Sequence, residues 1–263
     1  MGIVLQGGNH IFQGSTLINN HIVEENLQMF FDPNNDKSYA GSGTTVLNIA
    51  PELTSNNITG SLDASSMYVA GANNTNSYFR VRSDSTIQRL NLSGTITRNA
   101  DEDSTLMFFF WSDYDATGQY SNSQAFFGGK YTNYMALRGG TNGTYGTEAE
   151  TNGVGTPEGN HDYFANESSG IFTTGSWQSW TSVFSNSTGS NYYNGNLNAT
   201  EYNFLAPASS AQTFDRLGST STGTGGGDRG GDIRMGALLY YDRALTGAEI
   251  RQNLDVLNRR FQD

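Results

Sequence analysis

The sequence contains no cysteine, and this absence excludes thiol nucleophiles, disulfide frameworks and zinc sites built on thiolates. Proline is also rare, with 4 in 263 residues, so a proline-rich linker or stalk is excluded. No apolar run approaches the roughly 20 residues that a membrane-spanning helix needs. The sequence therefore predicts a folded chain without membrane insertion.

Basic residues are scarce. Lysine and arginine together number 14 against 25 acidic residues, which gives a net charge of −11. A nucleic-acid interface requires clustered basic side chains, and none occurs before the C-terminal segment. The opening MGIVLQGGNHIFQG has neither the charged start nor the apolar core of an export signal. These features predict no nucleic-acid partner and no exported precursor.

What the chain does contain is typical of an all-β protein. Aromatic residues reach 12%, and glycine numbers 32. Short apolar runs alternate with polar turns from Leu27 onward. Leu106 to Trp111 is nearly continuous and predicts a strand buried on both faces in the middle of a sheet. Asn194-Gly195 is the strongest hairpin turn in the chain.

Two segments leave their roles open. In residues 1–26, Asn19-Asn20 is a candidate turn between strands at Thr16–Ile18 and His21–Val23. This opening is either the first hairpin of the domain or an arm that docks on a partner. Residues 141–170 show little periodicity and predict a long loop, which is either functional or a flexible excursion.

The chain ends on a predicted strand followed by its one convincing helix. Thr246 is the expected N-cap, and Glu249 completes a capping box three residues later. The apolar positions follow at spacings of four, three and four, which define one helical face. They are Ile250, Leu254, Leu257 and Phe261. The helix is therefore expected to pack an apolar stripe on a sheet.

The ending GDIRMGALLYYDRALTGAEIRQNLDVLNRRF resembles the C-terminal signature of concanavalin A-like (laminin G-like) jelly-roll domains. MFFDPNNDKSYAGSGTT is similar to the opening strand and loop of the same domains, which are often found in bacteriophage virion proteins. The matching C-terminal positions are Gly231, Asp232, Ile233, Tyr240, Arg243, Ala244, Leu245, Thr246, Glu249 and Ile250. The resemblance implies a two-sheet antiparallel jelly-roll sandwich over 27–263, with 1–26 as an attachment segment.

Some relatives of this kind are glycoside hydrolases that carry a Glu-x-Asp-x-x-Glu strand, and this chain has no such run. Glu148 and Glu150 are two residues apart in the predicted loop, without the intervening aspartate. The histidines His10, His21 and His161 lie outside any nucleophile-elbow context. The sequence therefore predicts a protein that is not an enzyme.

Two kinds of binding site remain as candidates. No cofactor is required by the pattern, but calcium is a possible ligand for oxygen-rich loops, with Asp32 and Asp36 in DPNND and Asp113 and Asp115 in SDYD. Exposed aromatic rings in polar loops are candidate platforms for sugars. They are Tyr131, Tyr145 and Tyr163. The tryptophans Trp111, Trp177 and Trp180 are expected in the core.

The resemblance to domains of phage virion proteins implies a virion surface structural protein, either a capsid decoration or a tail or fibre component. Its expected partners are other virion proteins, bound through residues 1–26, and a host surface glycan. A homo-oligomer located on the virion is the corresponding assembly. The alternatives are a free carbohydrate-binding lectin or a glycoside hydrolase.

Overall fold

The architecture follows from a computed structural model. It describes residues 10–13, 16–19, 21–51, 58–71, 76–81, 88–98, 102–112, 124–128, 135–139, 145–150, 161–166, 175–185, 188–201, 212–217 and 233–261. These residues form β-strands, one short 3₁₀ turn at Ser65–Met67 and one α-helix. All strand pairs are antiparallel, which confirms the predicted fold class.

The first large sheet carries the C-terminal helix and is called sheet I. Its strands are β3 (Leu27–Phe31), β6 (Tyr68–Val69), β7 (Tyr78–Val81), β9 (Ser104–Ser112), β14 (Trp177–Ser185), β15 (Thr188–Tyr193), β16 (Asn196–Glu201) and β18 (Ile233–Tyr241). They lie in the order β16-β15-β14-β9-β18-β7-β6, and β3 also pairs with β18.

The second large sheet, sheet II, packs against the inner face of sheet I. Its strands are β4 (Thr45–Val46), β5 (Gly60–Leu62), β8 (Leu90–Arg98), β10 (Gln124–Gly128), β11 (Met135–Gly139), β12 (Tyr145–Glu150), β13 (His161–Asn166) and β17 (Gln212–Leu217). Their order is β13-β12-β11-β10-β17-β8-β5-β4.

Strand β9 explains why the sandwich has two cores. Because successive side chains point to opposite faces, Phe108 and Phe110 join the core between the sheets. Met107 and Phe109 instead join a second core beneath the helix. The continuous apolar run was therefore predicted correctly as a strand buried on both faces, between β14 and β18.

The C-terminal helix α1 (Gly247–Phe261) covers the outer face of sheet I. The capping box is present: the Thr246 amide donates to Glu249 Oε2 over 2.8 Å, and the Glu249 amide donates to Thr246 Oγ1 over 3.3 Å. All four residues of the predicted stripe are buried. They are Ile250, Leu254, Leu257 and Phe261. The helix prediction is confirmed.

The first hairpin differs from the prediction. Strand β1 (His10–Gln13) pairs with β2 (Thr16–Asn19) in a two-stranded sheet of its own, so the turn precedes Thr16. His21–Val23 is not a strand. The physical reason is that residues 21–26 make contacts with helix α1 and strand β18 in place of a partner strand.

The expectation of one long loop over residues 141–170 was wrong where the structure describes that range. Strands β12 and β13 pair there over six positions, from Tyr145 opposite Asn166 to Glu150 opposite His161. The sequence of β12, YGTEAE, lacks strong alternation, so the strand depends on pairing with β11 and β13. Within the part of the chain that the structure describes, no helix is long and apolar enough to cross a membrane.

Candidate functional site

A shallow depression of about 590 Å³ lies on the outer face of sheet I, beside the end of helix α1. Four of its lining side chains are aromatic and one is an arginine. The described lining residues are Asn76, Tyr78, Trp111, Gly175, Ser176, Trp177, Arg234 and Phe261. This surface is called the aromatic depression.

Strand register brings these side chains together from distant parts of the sequence. Trp111 lies opposite Trp177 on β14 and opposite Arg234 on β18. Residues directly opposite each other in antiparallel strands project from the same face of the sheet. The three side chains are therefore neighbours, and all three are partly exposed.

Trp177 is at the centre of the cluster. Its ring stacks on Phe109 with centroids 5.4 Å apart and an interplanar angle of 7°. It contacts Phe261 at 4.6 Å and meets the Trp111 ring edge to face at 5.9 Å. These contacts fix the indole from below and from the side, so the depression is preformed rather than a set of independent side chains.

A glycine makes this arrangement possible. Gly236 lies in the β-bulge of β18 between Met235 and Ala237. A Cβ at Gly236 would lie 2.8 Å from Cζ3 of Trp177 and 3.0 Å from Cε1 of Phe261. Since real Cβ contacts are not that short, the rings reach their positions only because this residue has no side chain.

Arg234 is held over two rings of the depression. Its guanidinium carbon lies 5.0 Å from the centroid of the Trp111 ring and 5.2 Å from that of Tyr78. Cation–π contacts at this distance favour one arrangement of a long side chain. The depression therefore combines apolar ring surface with a positioned positive charge.

The loop after β3 ties the two walls of the depression together. The buried Asp32 carboxylate pairs with Arg260, the neighbour of Phe261. Asn34 Oδ1 accepts the amide of Ser77 over 2.6 Å, between Asn76 and Tyr78 in the other wall. Burial raises the pKa of the Asp32 carboxyl, and the charge of Arg260 acts against that rise. The loop with the sequence DPNND therefore positions the two walls of the aromatic depression.

Two side-chain oxygen atoms of the loop that contains the calcium candidates Asp32 and Asp36 accept hydrogen bonds from backbone amides. Asp32 Oδ1 accepts the Asn34 amide over 2.9 Å, and Asn35 Oδ1 accepts the Lys37 amide over 3.0 Å. Asp36 is exposed at the surface of the turn. Among the described residues, no three acidic or histidine side chains form a group suited to a metal ion. The second calcium candidate, Asp113 and Asp115, lies outside the described residues.

The three tyrosines proposed for sugar binding are distributed differently from the expectation of polar loops. Tyr145 begins strand β12, and Tyr163 lies within β13 of sheet II. Tyr131 lies outside the described residues. Glu148 pairs in register with Tyr163, and Glu150 pairs with His161, so both acids belong to a strand. The sugar-binding role of these tyrosines stays a prediction.

A second concavity, of about 430 Å³, lies where β8 of sheet II approaches the ends of β3 and β18 of sheet I. Its described lining includes three carboxylates and no cation. The residues are Gln28, Ile58, Thr95, Ile96, Thr97, Glu102, Asp103, Tyr240 and Asp242. This acidic cleft lacks the paired rings of the aromatic depression, so the two concavities suit ligands of different chemistry.

The aromatic depression was not predicted from the sequence, because all three tryptophans were expected in the core. Trp180 is indeed buried, with 1% of its surface exposed. Trp177 packs against the core beneath the helix but is only partly buried, so the expectation holds for it only in part. Trp111 is also partly exposed. Trp177 and Trp180 are three residues apart in one strand and therefore face opposite sides, which strand alternation could have indicated.

Solved structures share this architecture. A botulinum neurotoxin serotype D ligand-binding domain in complex with N-acetylneuraminic acid matches 89% of this chain and 51% of its own, with 11% identity and a TM-score of 0.59. A Trypanosoma rangeli sialidase in complex with 2,3-difluorosialic acid matches 100% and 37%, with 10% identity and a TM-score of 0.58.

The binding domain of botulinum neurotoxin DC in complex with rat synaptotagmin II matches 89% of this chain and 52% of its own, with 9% identity and a TM-score of 0.59. The chain is a jelly-roll β-sandwich. It spans about half the length of the neurotoxin domains and a smaller share of the sialidase. No protein-family model and no curated protein matches the chain. At these identities the likeness shows the fold alone.

Proposed function

We propose that this protein is a carbohydrate-binding domain of the lectin type, and that the aromatic depression is its binding site. The observation that carries the proposal is the preformed set of partly exposed rings, Tyr78, Trp111 and Trp177, beside a fixed guanidinium. Sugars present C–H groups on one face and hydroxyls at their edges. Aromatic faces attract the former, and polar side chains bind the latter.

The structural neighbours support this proposal at the level of the fold. Two of them are described in complex with sialic acid or a derivative of it, and one of these is an enzyme. The fold accommodates sugar sites in these neighbours. In this chain the aromatic depression is suited to a sugar because it is concave, preformed and partly open.

The test is binding of the full chain to a panel of neutral and acidic glycans, followed by titration of each bound glycan. Intrinsic tryptophan fluorescence is a direct readout, because two of the 3 tryptophans line the depression and Trp180 is buried. We expect Trp111→Ala to weaken binding at least about tenfold, which corresponds to about 1.4 kcal/mol.

A matched control is Leu197→Ala, since Leu197 is 57% exposed on strand β16 and does not line the depression. This variant should bind as the unaltered chain does. Equal affinity of the Trp111→Ala variant for its glycan, with its fold intact by circular dichroism, would place the site elsewhere. Absence of binding across the whole panel would refute the proposed function.

The role on a virion surface is a second proposal, and it rests on the resemblance of the C-terminal signature to domains found in phage virion proteins. The separate two-stranded sheet β1–β2 favours an appendage within residues 1–26. Such a protein is expected as a homo-oligomer on a capsid, tail or fibre. Co-sedimentation with purified particles tests this role: a chain lacking residues 1–20 should lose the association that the full chain has.

We further propose that binding occurs without catalysis. The candidate carboxylates for a hydrolase are Glu148 and Glu150, which lie two positions apart in β12. Reducing-sugar release from the glycans that bind is the relevant assay. Release that disappears in Glu148→Gln or Glu150→Gln variants would contradict the non-enzymatic assignment.

A further inference from the structure

Three rings of the aromatic depression are arranged around a cation that belongs to the chain itself. The guanidinium carbon of Arg234 lies 5.0 Å from the centroid of the Trp111 ring and 5.2 Å from that of Tyr78. Both rings also meet the ring of Trp177 at steep angles, 74° for Trp111 and 66° for Tyr78. The guanidinium therefore lies against two rings, and a third ring stands nearly upright to each of them.

This arrangement is suited to a positive group. The face of an aromatic ring carries negative partial charge, and proteins recognise ammonium ligands with several such faces set at an angle to one another. Among the described residues that line the depression, Arg234 is the one charged side chain, and the attraction comes from rings in place of carboxylates. The geometry is that of a cation site in which a side chain of the same chain resides.

We propose that Tyr78, Trp111 and Trp177 form a binding site for an ammonium group, and that Arg234 occupies this site until a cationic ligand takes its place. This inference goes beyond the proposed function, because it concerns a cation and does not depend on sugar binding. Arg234 acts as an internal competitor, so its contact with the rings is autoinhibitory.

The surroundings of the rings favour a cation in two ways. Helix α1 ends at Phe261 in the wall of the depression, and the last carbonyl groups of a helix carry a partial negative charge. The net charge of −11 on the whole chain attracts cations over longer distances. Arg259 and Arg260 in the last turn act against the first effect, although Arg260 is paired with the buried Asp32. The ring faces therefore have to supply the specific attraction.

The displacement of Arg234 has a cost that lowers the affinity of the unaltered chain. Arg234 is partly exposed at the second position of β18, so its side chain can turn toward solvent without opening the core. It also makes interactions other than these ring contacts, and a ligand has to compete with all of them. We therefore expect the unaltered chain to bind cations weakly, and a chain without this side chain to bind them more tightly.

The experiment compares two probes of the same shape and different charge: choline and 3,3-dimethylbutan-1-ol, in which a carbon atom replaces the nitrogen. Binding to the full chain is measured by calorimetry and by tryptophan fluorescence, since Trp111 and Trp177 line the depression. Arg234→Ala removes the internal competitor, so this variant should bind choline at least about tenfold more tightly than the unaltered chain does. It should also prefer choline to the neutral probe by a similar factor.

Two further variants separate charge, space and ring surface. Arg234→Met removes the charge but fills the same space, so it should gain much less affinity for choline than Arg234→Ala. Trp111→Ala, introduced into the Arg234→Ala chain, removes one ring face and should abolish the gain. Arg80 lies opposite Arg234 in the register of β7 and β18 and stays unchanged in every variant, so its charge is common to all comparisons.

Circular dichroism checks the fold of each variant. If Arg234→Ala does not fold, the unaltered chain still decides the question at high probe concentration. It should prefer choline to the neutral probe and lose that preference in Trp111→Ala. Equal weak binding of both probes to the unaltered chain would then overturn the proposal.

The outcomes distinguish the cation site from the proposed lectin function. Equal affinity of the Arg234→Ala chain for choline and the neutral probe, or no binding of either, would overturn the cation site. Choline binding as tight to the unaltered chain as to the Arg234→Ala chain would overturn the role of Arg234 as a competitor. Glycans that bind without any preference for choline leave the lectin proposal intact, whereas choline binding without any glycan binding leaves only the cation site.

Discussion

Gly236 lies beneath the aromatic depression and leaves no room for a side chain. A Cβ there would also lie 3.0 Å from Cδ1 of Phe109, in addition to its close approach to Trp177. We expect Gly236→Ala to displace the Trp177 ring and to lower the free energy of unfolding by about 1–3 kcal/mol. Chemical denaturation measures the loss, and glycan titration measures the accompanying decrease in affinity.

Gly94 provides the matched control for this substitution. It also lies in a strand, and a Cβ there would be 3.5 Å from Cγ1 of Ile58, which is an ordinary contact. Gly94→Ala should change stability by no more than about 0.5 kcal/mol. If Gly236→Ala changed stability as little as Gly94→Ala and left tryptophan fluorescence unchanged, this result would contradict the close packing of Trp177 on β18.

At the scale of single residues, the sequence predicts burial better than it predicts exposure. The four stripe positions of helix α1 and Trp180 are buried as expected. Trp111 lies near the end of β9, and Trp177 lies at the start of β14. Both positions are beside the end of helix α1, where the helix no longer covers sheet I. Which end of a strand stays open depends on tertiary packing, so composition alone could not have identified the depression.

The start of helix α1 is stabilised by an ion pair within the capping box. Arg243 Nη2 donates to Glu249 Oε1 over 2.7 Å, and the Thr246 amide donates to Glu249 Oε2. The hydrogen bond from Arg243 lowers the pKa of Glu249 from 4.5 to about 2. Because the folded pKa is depressed, this stabilisation is present above pH 4.5 and is lost as the pH falls toward 2.

We therefore expect Glu249→Gln to destabilise the protein by about 1–2 kcal/mol near neutral pH, allowing for the partial exposure of the pair. The difference from the unaltered chain should shrink as the pH decreases from about 5 toward 2. Denaturation at a series of pH values measures it. Asp255→Asn, at an exposed position of the same helix, is the control, and a difference independent of pH for Glu249→Gln would contradict the assignment.

At the scale of elements, the features that could be predicted are those with a local sequence pattern. The capping box of α1, the Asn194-Gly195 turn and the apolar run of β9 each carry their information within a few residues. The turn is confirmed by positive φ angles of 47° at Asn194 and 74° at Gly195. Strands β12 and β13 have weak patterns and form through neighbouring strands, so they were missed.

The wrong prediction of a strand at His21–Val23 has the same cause, because distant contacts determine the structure of this segment. His21–Val23 has the composition of a strand but contacts residues more than two hundred positions away. Gln252 Nε2 donates to the His21 carbonyl over 2.9 Å, and the Val23 amide donates to Asn253 Oδ1 over 2.8 Å. Contacts of such sequence separation leave no local pattern, which is why the turn was placed too late.

At the scale of the whole molecule, these contacts divide residues 1–26 into two parts. Residues 21–26 belong to the sandwich: Ile22 is buried in the core beneath the helix, and the Tyr241 hydroxyl donates to the Val23 carbonyl over 2.9 Å. Strands β1 and β2 form a sheet of their own. An attachment function, if it resides in this segment, is therefore expected within residues 1–20.

Two truncations test this division. A chain lacking residues 1–20 should unfold at the same denaturant concentration as the full chain, because it keeps every contact of residues 21–26. A chain lacking residues 1–26 exposes the Ile22 site and leaves Asn253 and the Tyr241 hydroxyl without these partners. Each buried polar group that loses its partner costs about 1–3 kcal/mol, so we expect a total loss of about 3–6 kcal/mol. Equal stability of both truncated chains would show that residues 21–26 do not hold the helix on sheet I. In that case the attachment segment would be expected to span the whole of residues 1–26.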